Sequence, residues 1–574
     1  MEIKTYDFTI QGRNEVLDHP YGKDWPVVYL INNDKRLYIG ETSSFYNRFV
    51  QHLEGKAKYG LKKIHAIFDD EFNKSAILDI EQLLIRLCGA ENKYELLNAN
   101  LGQSSSHNYY QREKYLNKVG GESEDDGIWS KLKEIGLVEQ DYNCIINSNL
   151  FTYSPYTSLT LEQEEICFSV LDDILKGLEK GEDISAIVRG AAGTGKTILA
   201  IYLVFLIVNA NKGEIDIYEE DNEEKSLKNT VLHKLKKYIK KNGELSIAYL
   251  VPMSSLRKTL QVVFKQTKNG LKRNMVIGPT DLKKKSYDIV VVDESHRLQA
   301  YRNISWMGTY KSAAEKLGFR PEECNVLDWV VKQSKCRVLF YDKEQTIKGS
   351  DITATEFEKS LENSKQEKYE LTTQMRCKGG KEYLYYLQEI FNCEINIKEE
   401  FENYDIKLFD SATEMIETIK QLNSVQGLCR NVAGYSWKWK SKNRTKQEIE
   451  MLNLYDIQLE GKSYVWNMNN IEWILRGDSI NEIGCVHTTQ GYDLNYVGVI
   501  FGKEIDYDEK INSIIIDKEK FYDVNVKKGK SEEELKQLII NTYKVIMTRG
   551  IKGCYMYACN SGLKKYLSQF FEKK

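Results

Sequence analysis

The eleven cysteines include no CxxC pair, and none sits with histidine at a zinc-ligand spacing. The sequence therefore predicts reduced, mostly buried thiols, which excludes a disulfide-bonded secreted protein and a structural zinc centre. Long apolar runs are missing too. The longest, Ile198 to Val208, falls well short of the ~20 residues needed to span a bilayer and fits a buried helix instead. Met1 to Asp7 lacks the basic and apolar regions of a signal peptide. Nor is there an excess of one charge: Lys and Arg number 81, Asp and Glu 84, and the net charge is −3. Any polyanion-binding surface must be local. Together these absences predict a cytoplasmic chain without a membrane partner.

What is present is a long globular chain of 574 residues, 41% hydrophobic and 29% charged. At roughly one domain per 150 residues it should hold three or four units. Its clearest local signal is Gly190-Ala-Ala-Gly193-Thr194-Gly195-Lys196-Thr197, between the apolar runs Ile184–Val188 and Ile198–Phe205. Strand, glycine-rich turn and helix in that order form a phosphate-binding P-loop. Its glycines let backbone N–H groups converge on a phosphate, and the helix N-terminus adds partial positive charge. Lys196 should reach the β- and γ-phosphates, and Thr197 should hold Mg²⁺ (or Mn²⁺). ATP is the expected cofactor.

A second apolar strand ends in Asp293-Glu294-Ser-His296. Acids at the carboxyl end of a central parallel strand lie where α/β sheets bind ligands. Asp293 is expected to hold the metal through water and Glu294 to orient or deprotonate the attacking water. A third strand, Arg337–Tyr341, runs into Gln345, a candidate γ-phosphate sensor. Gln374-Met-Arg376, His487-Thr-Thr-Gln490-Gly491 and Thr548-Arg549-Gly550 follow in order. Upstream, Gln163 begins a helix at Leu159–Glu164, where helicases carry an adenine-reading glutamine.

Before this motor half, Val27–Ile31 and Leu37–Gly40 read as strands around a polar turn, with helices over Ser43–Leu53 and Ala76–Cys88. Arg48 and His52, four apart, share one helical face.

Residues 25 to 100 resemble the GIY-YIG nuclease family. Val27-Val28-Tyr29 stands for the first signature, with Val in place of Gly, and Tyr38-Ile39-Gly40 is the second intact. The resemblance implies that Arg48 is catalytic, that Glu81 binds a metal and that Asn98 is the family's final asparagine. It also implies that Tyr29 or Tyr38 acts as base, with His52 as a candidate partner. Residues 158 to 562 resemble a superfamily 1 helicase, more narrowly the bacterial relatives of the Schlafen-type helicase domain. That likeness implies that Arg376 and Arg549 reach the γ-phosphate across a cleft between two lobes. Trp437-Lys-Trp439-Lys-Ser-Lys442 has the basic and aromatic composition of a nucleic-acid foothold.

The expected fold is α/β: a small N-terminal α+β GIY-YIG nuclease domain (1–119), a linker (120–157), and two RecA-like parallel-sheet lobes (158–364 and 365–574). Charged insertions are expected at 212–244 and around 506–534, the first with a lysine-rich, solvated helix. The expected function is an ATP-driven nucleic-acid motor fused to a metal-dependent nuclease, with DNA placed ahead of RNA and bacterial restriction or anti-phage defence as the setting. The alternatives are an ATP-gated nucleic-acid sensor without processive unwinding, or an RNA-directed enzyme. Protein partners are not legible.

Overall fold

The computed structural model describes every residue except 57–59, 99–108, 122–125, 192, 215–225, 269, 303, 305, 343–344, 346–349, 375–377, 396, 469–472, 490–492 and 528–529. The chain forms two compact units, each assembled from three stretches. The first holds residues 1–181, 197–248 and 260–276; the second holds 182–196, 249–259 and 277–574.

The first unit contains a five-stranded sheet made of β1 (Glu2–Asp7), β2 (Val27–Asn32), β3 (Arg36–Thr42), β4 (Lys63–Phe68) and β5 (Glu95–Leu96), in the order β1-β4-β2-β3-β5. All pairs are antiparallel except β3 with β5. The polar turn between β2 and β3 is closed by Asn33, whose side-chain oxygen accepts from the Lys35 and Arg36 N–H groups at 2.8 and 2.7 Å. β1 and β4 were not anticipated from the sequence. They complete a core in which Tyr6, Phe8, Phe45, Phe49 and Phe68 pack around Tyr29.

The helix after β3 runs over Phe45–Lys56, and the later one over Lys74–Glu91. The latter starts at Asn73, whose side chain accepts from Ala76 N–H, and ends at Asn92 in the left-handed region. Short helices at Ile128–Glu134, Tyr142–Ile146 and Asn149–Thr152 follow. Helix Leu161–Lys180 opens with a capping box between Thr160 and Gln163.

The lysine-rich stretch forms helix Leu227–Asn242, which packs on Leu161–Lys180. Val231, Leu232 and Leu235 are buried, each contributing about 1.5–3 kcal/mol of hydrophobic stabilisation. Lys228 and Lys234 pair with Glu164 and Asp172 at 2.7 and 2.6 Å. The expectation of a solvated helix therefore holds for only part of its surface.

The second unit centres on two six-stranded sheets. In the first, β6 (Ile184–Gly190), β7 (Ile247–Leu250), β8 (Val276–Ile277), β9 (Tyr287–Val292), β10 (Ser334–Tyr341) and β11 (Lys365–Leu371) take the order β11-β6-β10-β9-β7-β8. β6 pairs in parallel with both β10 and β11, and β10 with β9.

The second sheet uses β12 (Asp405–Leu408), β13 (Cys429–Ala433), β16 (Ile483–Gly484), β17 (Leu494–Phe501), β20 (Gly550–Ala558) and β21 (Glu572–Lys573). Its order is β16-β13-β17-β20-β12-β21, and its pairs are parallel. Hairpins β14/β15 (Ile457–Leu459, Lys462–Tyr464) and β18/β19 (Ile505–Asp508, Ser513–Ile516) stand apart. The second hairpin occupies the charged stretch around 506–534. Two parallel α/β sheets in one unit and a small mixed sheet in the other are the architecture expected from the sequence.

Among the described residues no helix is long and apolar enough to cross a membrane, and the described cysteines are free.

Candidate active sites

The β6–β10–β9 register builds the first site. Tyr341 lies opposite Arg189, and Leu339 opposite Val292. The three strands therefore end nearly in line, bringing Gly190, Asp293 and Asp342 to one carboxyl edge. The loop after β6 turns through Gly193 (φ 85°) and Gly195 (φ 81°), where a side chain would be strained. Thr194 Oγ1 donates to the Ala191 carbonyl at 3.0 Å. A Cβ at Gly193 would lie 2.0 Å from Gln374 Oε1, so Gln374 lies directly against the loop.

Lys196 begins helix Lys196–Lys212, with Thr197 next in its first turn. The Lys196 ammonium donates to the carbonyls of Gly190 (2.7 Å) and Ala191 (2.9 Å) and to Asp342 Oδ2 (3.2 Å). Gln345 Nε2 donates to the same Asp342 oxygen at 2.6 Å, and an Arg549 guanidinium N–H reaches Gln345 Oε1 at 3.4 Å. Asp342 thus joins Lys196, Gln345 and, through Gln345, Arg549. Sequence reasoning passed over it, because its place depends on strand register. The signal available was an acid at the end of a strand flanking the P-loop strand.

Asp293 is fully buried. It accepts from the Tyr249 hydroxyl at 2.8 Å and from the Glu294 N–H at 3.0 Å. Glu294 itself has φ 49°, an uncommon conformation for a side-chain-bearing residue and typical of functional positions. Its Oε2 lies 3.0 Å from His296 Nε2. His296 Nδ1 accepts from the Asp342 N–H at 3.2 Å, leaving Nε2 to face the carboxylate. Burial pushes the Glu294 carboxyl up, but His296, Lys196 and Arg549 outweigh it and hold the group well below the usual range.

A cavity of about 620 Å³ opens beside the loop, lined by Gly190, Ala191, Thr194, Asp342, Leu371 and Gln374 among others. Its size suits a nucleotide. The loop conformation, the internally neutralised Lys196 and the ionised Glu294 beside Asp293 fit a triphosphate and its metal. Gln163 is buried in the first unit, and its side-chain oxygen accepts the Thr160 N–H at 3.0 Å as half of the capping box. Arg376, Gln490 and Gly491 lie outside the described residues.

The second site is on β2, β3 and the two helices that follow. Tyr29 pairs with Gly40 across the strands. A Cβ at Gly40 would fall 2.4 Å from Tyr29 Oη, so only glycine admits that hydroxyl. Arg48 Nε donates to Tyr29 Oη at 3.3 Å, which leaves the Tyr29 hydroxyl to donate to His52 Nε2 at 2.6 Å. Tyr38 lies beside both rings, with centroids 6.3 Å from Tyr29 and 5.0 Å from His52. Burial and Tyr38 push the Tyr29 phenol well above its ordinary value, with Arg48 opposing, so the resting group is neutral.

Glu81 is buried and accepts no hydrogen bond among the described residues. Burial, then Glu41, pushes its carboxyl up to about 8, against the pull of Lys74 and Arg48. Lys74 meanwhile holds Glu41 through both oxygens at 2.6 Å. An unpartnered, buried carboxyl of this kind fits a divalent cation. Among the described residues no three acidic, histidine or cysteine side chains converge as a closed metal cage. Glu81 would share such an ion with water and substrate phosphate. Asn98 serves the strand: its side chain accepts from Ile39 N–H at 3.0 Å and donates to Ile39 C=O at 2.7 Å, as a neighbouring strand would.

In the basic aromatic segment, Trp437 and Trp439 are half-buried against a core cluster, and Trp439 meets Trp466 edge-on at 6.2 Å. Lys438, Lys440 and Lys442 are exposed.

The family model "Schlafen group 3, DNA/RNA helicase domain" matches residues 184–560, and the model "GIY-YIG catalytic domain" matches residues 26–95. A Saccharomyces cerevisiae relative, "Uncharacterized protein YPL245W", is 26% identical over 445 residues, covering 71% of this chain and 90% of its own. Among solved structures, a Bacteroides Pif1 helicase in complex with ADP-AlF3 and ssDNA is 11% identical. The alignment covers 71% of this chain and 94% of that one, with a TM-score of 0.26. A second Pif1 structure, described as unwinding at forked dsDNA, gives the same identity, coverage and TM-score. The chain uses ATP and a divalent metal, acts on nucleic acid, and joins an ATP hydrolase of the helicase type to a GIY-YIG endonuclease; it belongs to the Schlafen group 3 DNA/RNA helicase family.

Proposed function

We propose that this protein is a DNA-directed motor and cutter of bacterial restriction or anti-phage defence, working in the cytoplasm with Mg²⁺ (or Mn²⁺). Residues 1–119 form the cutter, 120–157 the linker, and 158–364 and 365–574 the two motor lobes. The observation that carries the reading is the run of contacts from Lys196 through Asp342 and Gln345 to Arg549. It links residues at the carboxyl edge of the first parallel sheet to a residue just before β20 of the second.

In the motor, the Gly190–Gly195 backbone and Lys196 hold the triphosphate. Thr197 and Asp293 hold the metal, which when bound neutralises phosphate charge. Glu294, ionised and aimed by His296, takes the proton of the attacking water. Gln345 senses the γ-phosphate, and Arg549 and Arg376 stabilise its developing charge. Gln490 and Gly491 complete the nucleotide site, and Gln163 is the adenine-side glutamine.

In the cutter, Tyr29 accepts a proton from the attacking water as its own passes to His52 across their 2.6 Å contact. Arg48 steadies the transient phenolate and, with its second face, the phosphate. Tyr38 packs the pair, while Gly40 and Asn98 fix the strand beneath it. Glu81 would hold a divalent ion, which would supply Lewis acidity at the scissile phosphate.

The test incubates the protein with single-stranded, duplex and forked DNA and RNA, with Mg²⁺ or Mn²⁺, with and without ATP. Strand-stimulated hydrolysis and Glu81-dependent cleavage of DNA are expected. No cutting under any condition would remove the nuclease half. ATP-dependent binding without unwinding would replace the motor by a gated sensor.

A further inference from the structure

Glu504 is fully buried just past β17, where Gly502-Lys503-Glu504 leaves the sheet. The Tyr543 hydroxyl donates to Glu504 Oε1 at 2.6 Å and accepts the Gly502 N–H at 2.9 Å. Lys503 N–H donates to Ser436 Oγ at 2.7 Å. Space for the carboxyl is made by backbone: a Cβ at Gly434 would lie 2.3 Å from Tyr543 Oη, and one at Gly502 would lie 2.2 Å from Glu504 Oε2. Burial pushes the Glu504 carboxyl up, with Tyr543 and Ser436 opposing. Its Oε2 lacks an aligned hydrogen bond. An acid in such a core is costly unless its network does something packing cannot.

The network ties together three elements: the exit of β13 at Gly434–Ser436, the exit of β17, and helix Glu532–Met547, which carries Tyr543. Ser436 leads directly into Trp437–Lys442. The far end of that segment is pinned by Asp456, which accepts the N–H groups of Lys440 and Ser441 at 2.6 and 2.9 Å. The segment is therefore held at both ends while its lysines face solvent. At the other limb, Arg549 follows Tyr543 by six residues, about 9 Å of helical rise. Its N–H still bonds the Ile546 carbonyl at 3.0 Å, so it moves with the helix.

We infer that Glu504 and Tyr543 are positioning residues: they lock the basic, aromatic segment Trp437–Lys442 to the helix that presents Arg549, so that a nucleic-acid strand on the segment sets the arginine against the γ-phosphate. This rests on the motor reading above. It adds the route by which strand binding reaches hydrolysis.

The test measures ATP turnover with and without single-stranded DNA for wild type, Glu504→Gln, Glu504→Ala, Tyr543→Phe, Lys438→Gln/Lys440→Gln, and the Tyr543→Phe combination with the lysine pair. Tyr543→Phe and Glu504→Ala should lower stimulated kcat about tenfold, an ordinary coupling size, and leave basal turnover and the Kd for ATP within about twofold. Glu504→Gln, which keeps an acceptor for the Tyr543 hydroxyl, should restore stimulation. The lysine pair and Tyr543→Phe should combine far less than multiplicatively. Equal loss of basal and stimulated turnover, or multiplicative combination, would overturn the coupling while leaving the motor intact. Should Glu504→Ala fail to fold, Tyr543→Phe, which removes one oxygen, carries the same comparison. A wild type that ignores single strands altogether would overturn the motor reading and this inference with it.

Discussion

At the scale of single residues, the two sites hold acids in opposite states. Glu294 is held ionised by its neighbours, whereas Glu81, which accepts no hydrogen bond among the described residues, is raised from 4.5 to about 8. A carboxyl raised in the folded state contributes stability that is fully present below its unfolded value and is lost as pH climbs through its folded one. Metal-free protein should therefore lose stability between about pH 4.5 and 8, and Glu81→Gln should remove that loss. Thermal melts of both proteins at pH 5 and pH 9 check this: Glu81→Gln should gain in Tm relative to wild type only at pH 9. Metal binding should likewise release a proton within that window, read as buffer-dependent heat in calorimetry. Tyr29→Phe removes the hydroxyl shared by Arg48 and His52. Cleavage should fall by about 10²–10⁴-fold, the usual worth of a proton-transfer group, with ATP turnover unchanged; a loss of both would point to misfolding.

At the scale of elements, each site depends on one strand being held in place. Asn98 gives β3 the two backbone hydrogen bonds that its short neighbour β5 does not reach. Asn98→Ala would leave two buried backbone groups unpaired at about 1–3 kcal/mol each. Hydrogen exchange at the Ile39 amide should accelerate, and cleavage should drop as Gly40 shifts beneath Tyr29. In the other unit, Arg549 lies just past helix Glu532–Met547, and on the proposal above it reaches the γ-phosphate. Arg549→Ala should lower ATP turnover by about a thousandfold with a much smaller change in Kd, and equal losses would deny it that role.

These elements also mark what the sequence could and could not reveal. The P-loop was legible because its chemistry is written in eight adjacent residues. The order Tyr29, Tyr38, Arg48, Glu81 located the cutter for the same reason of fixed spacing. Asp342 was not legible as a hub, because only the β6–β10 register brings it to Lys196. β1 escaped because a short edge strand carrying charges lacks a clean alternation, and β4 because it is an inner strand buried along nearly its whole length, so it shows no alternation either. The capping role of Gln163, which engages its side-chain oxygen, was not read from the sequence.

For the whole molecule, the central question is whether cutting answers to the motor. Lys196→Ala should abolish turnover, yet Tyr29 lies on a different sheet with its own core, and His52 and Glu81 on the two helices that follow it. If cleavage of short single strands survives in Lys196→Ala while cleavage of long duplexes is lost, the motor supplies substrate. If both vanish, nucleotide turnover licenses the cut itself. Gel assays on the two substrates decide between them.

The way the chain is shared between its two units bears on how the protein can be dissected. The path changes unit at 181/182, 196/197, 248/249, 259/260 and 276/277, once between Lys196 and Thr197 themselves. A single protease nick in the acidic stretch at 120–127 would not free the cutter's whole unit, since residues 197–248 and 260–276 arrive from far downstream. The nuclease's own five strands nonetheless all lie within residues 2–96 and share one core, so a graft of that sheet and its two helices would carry the Tyr29, Arg48 and His52 contacts with it.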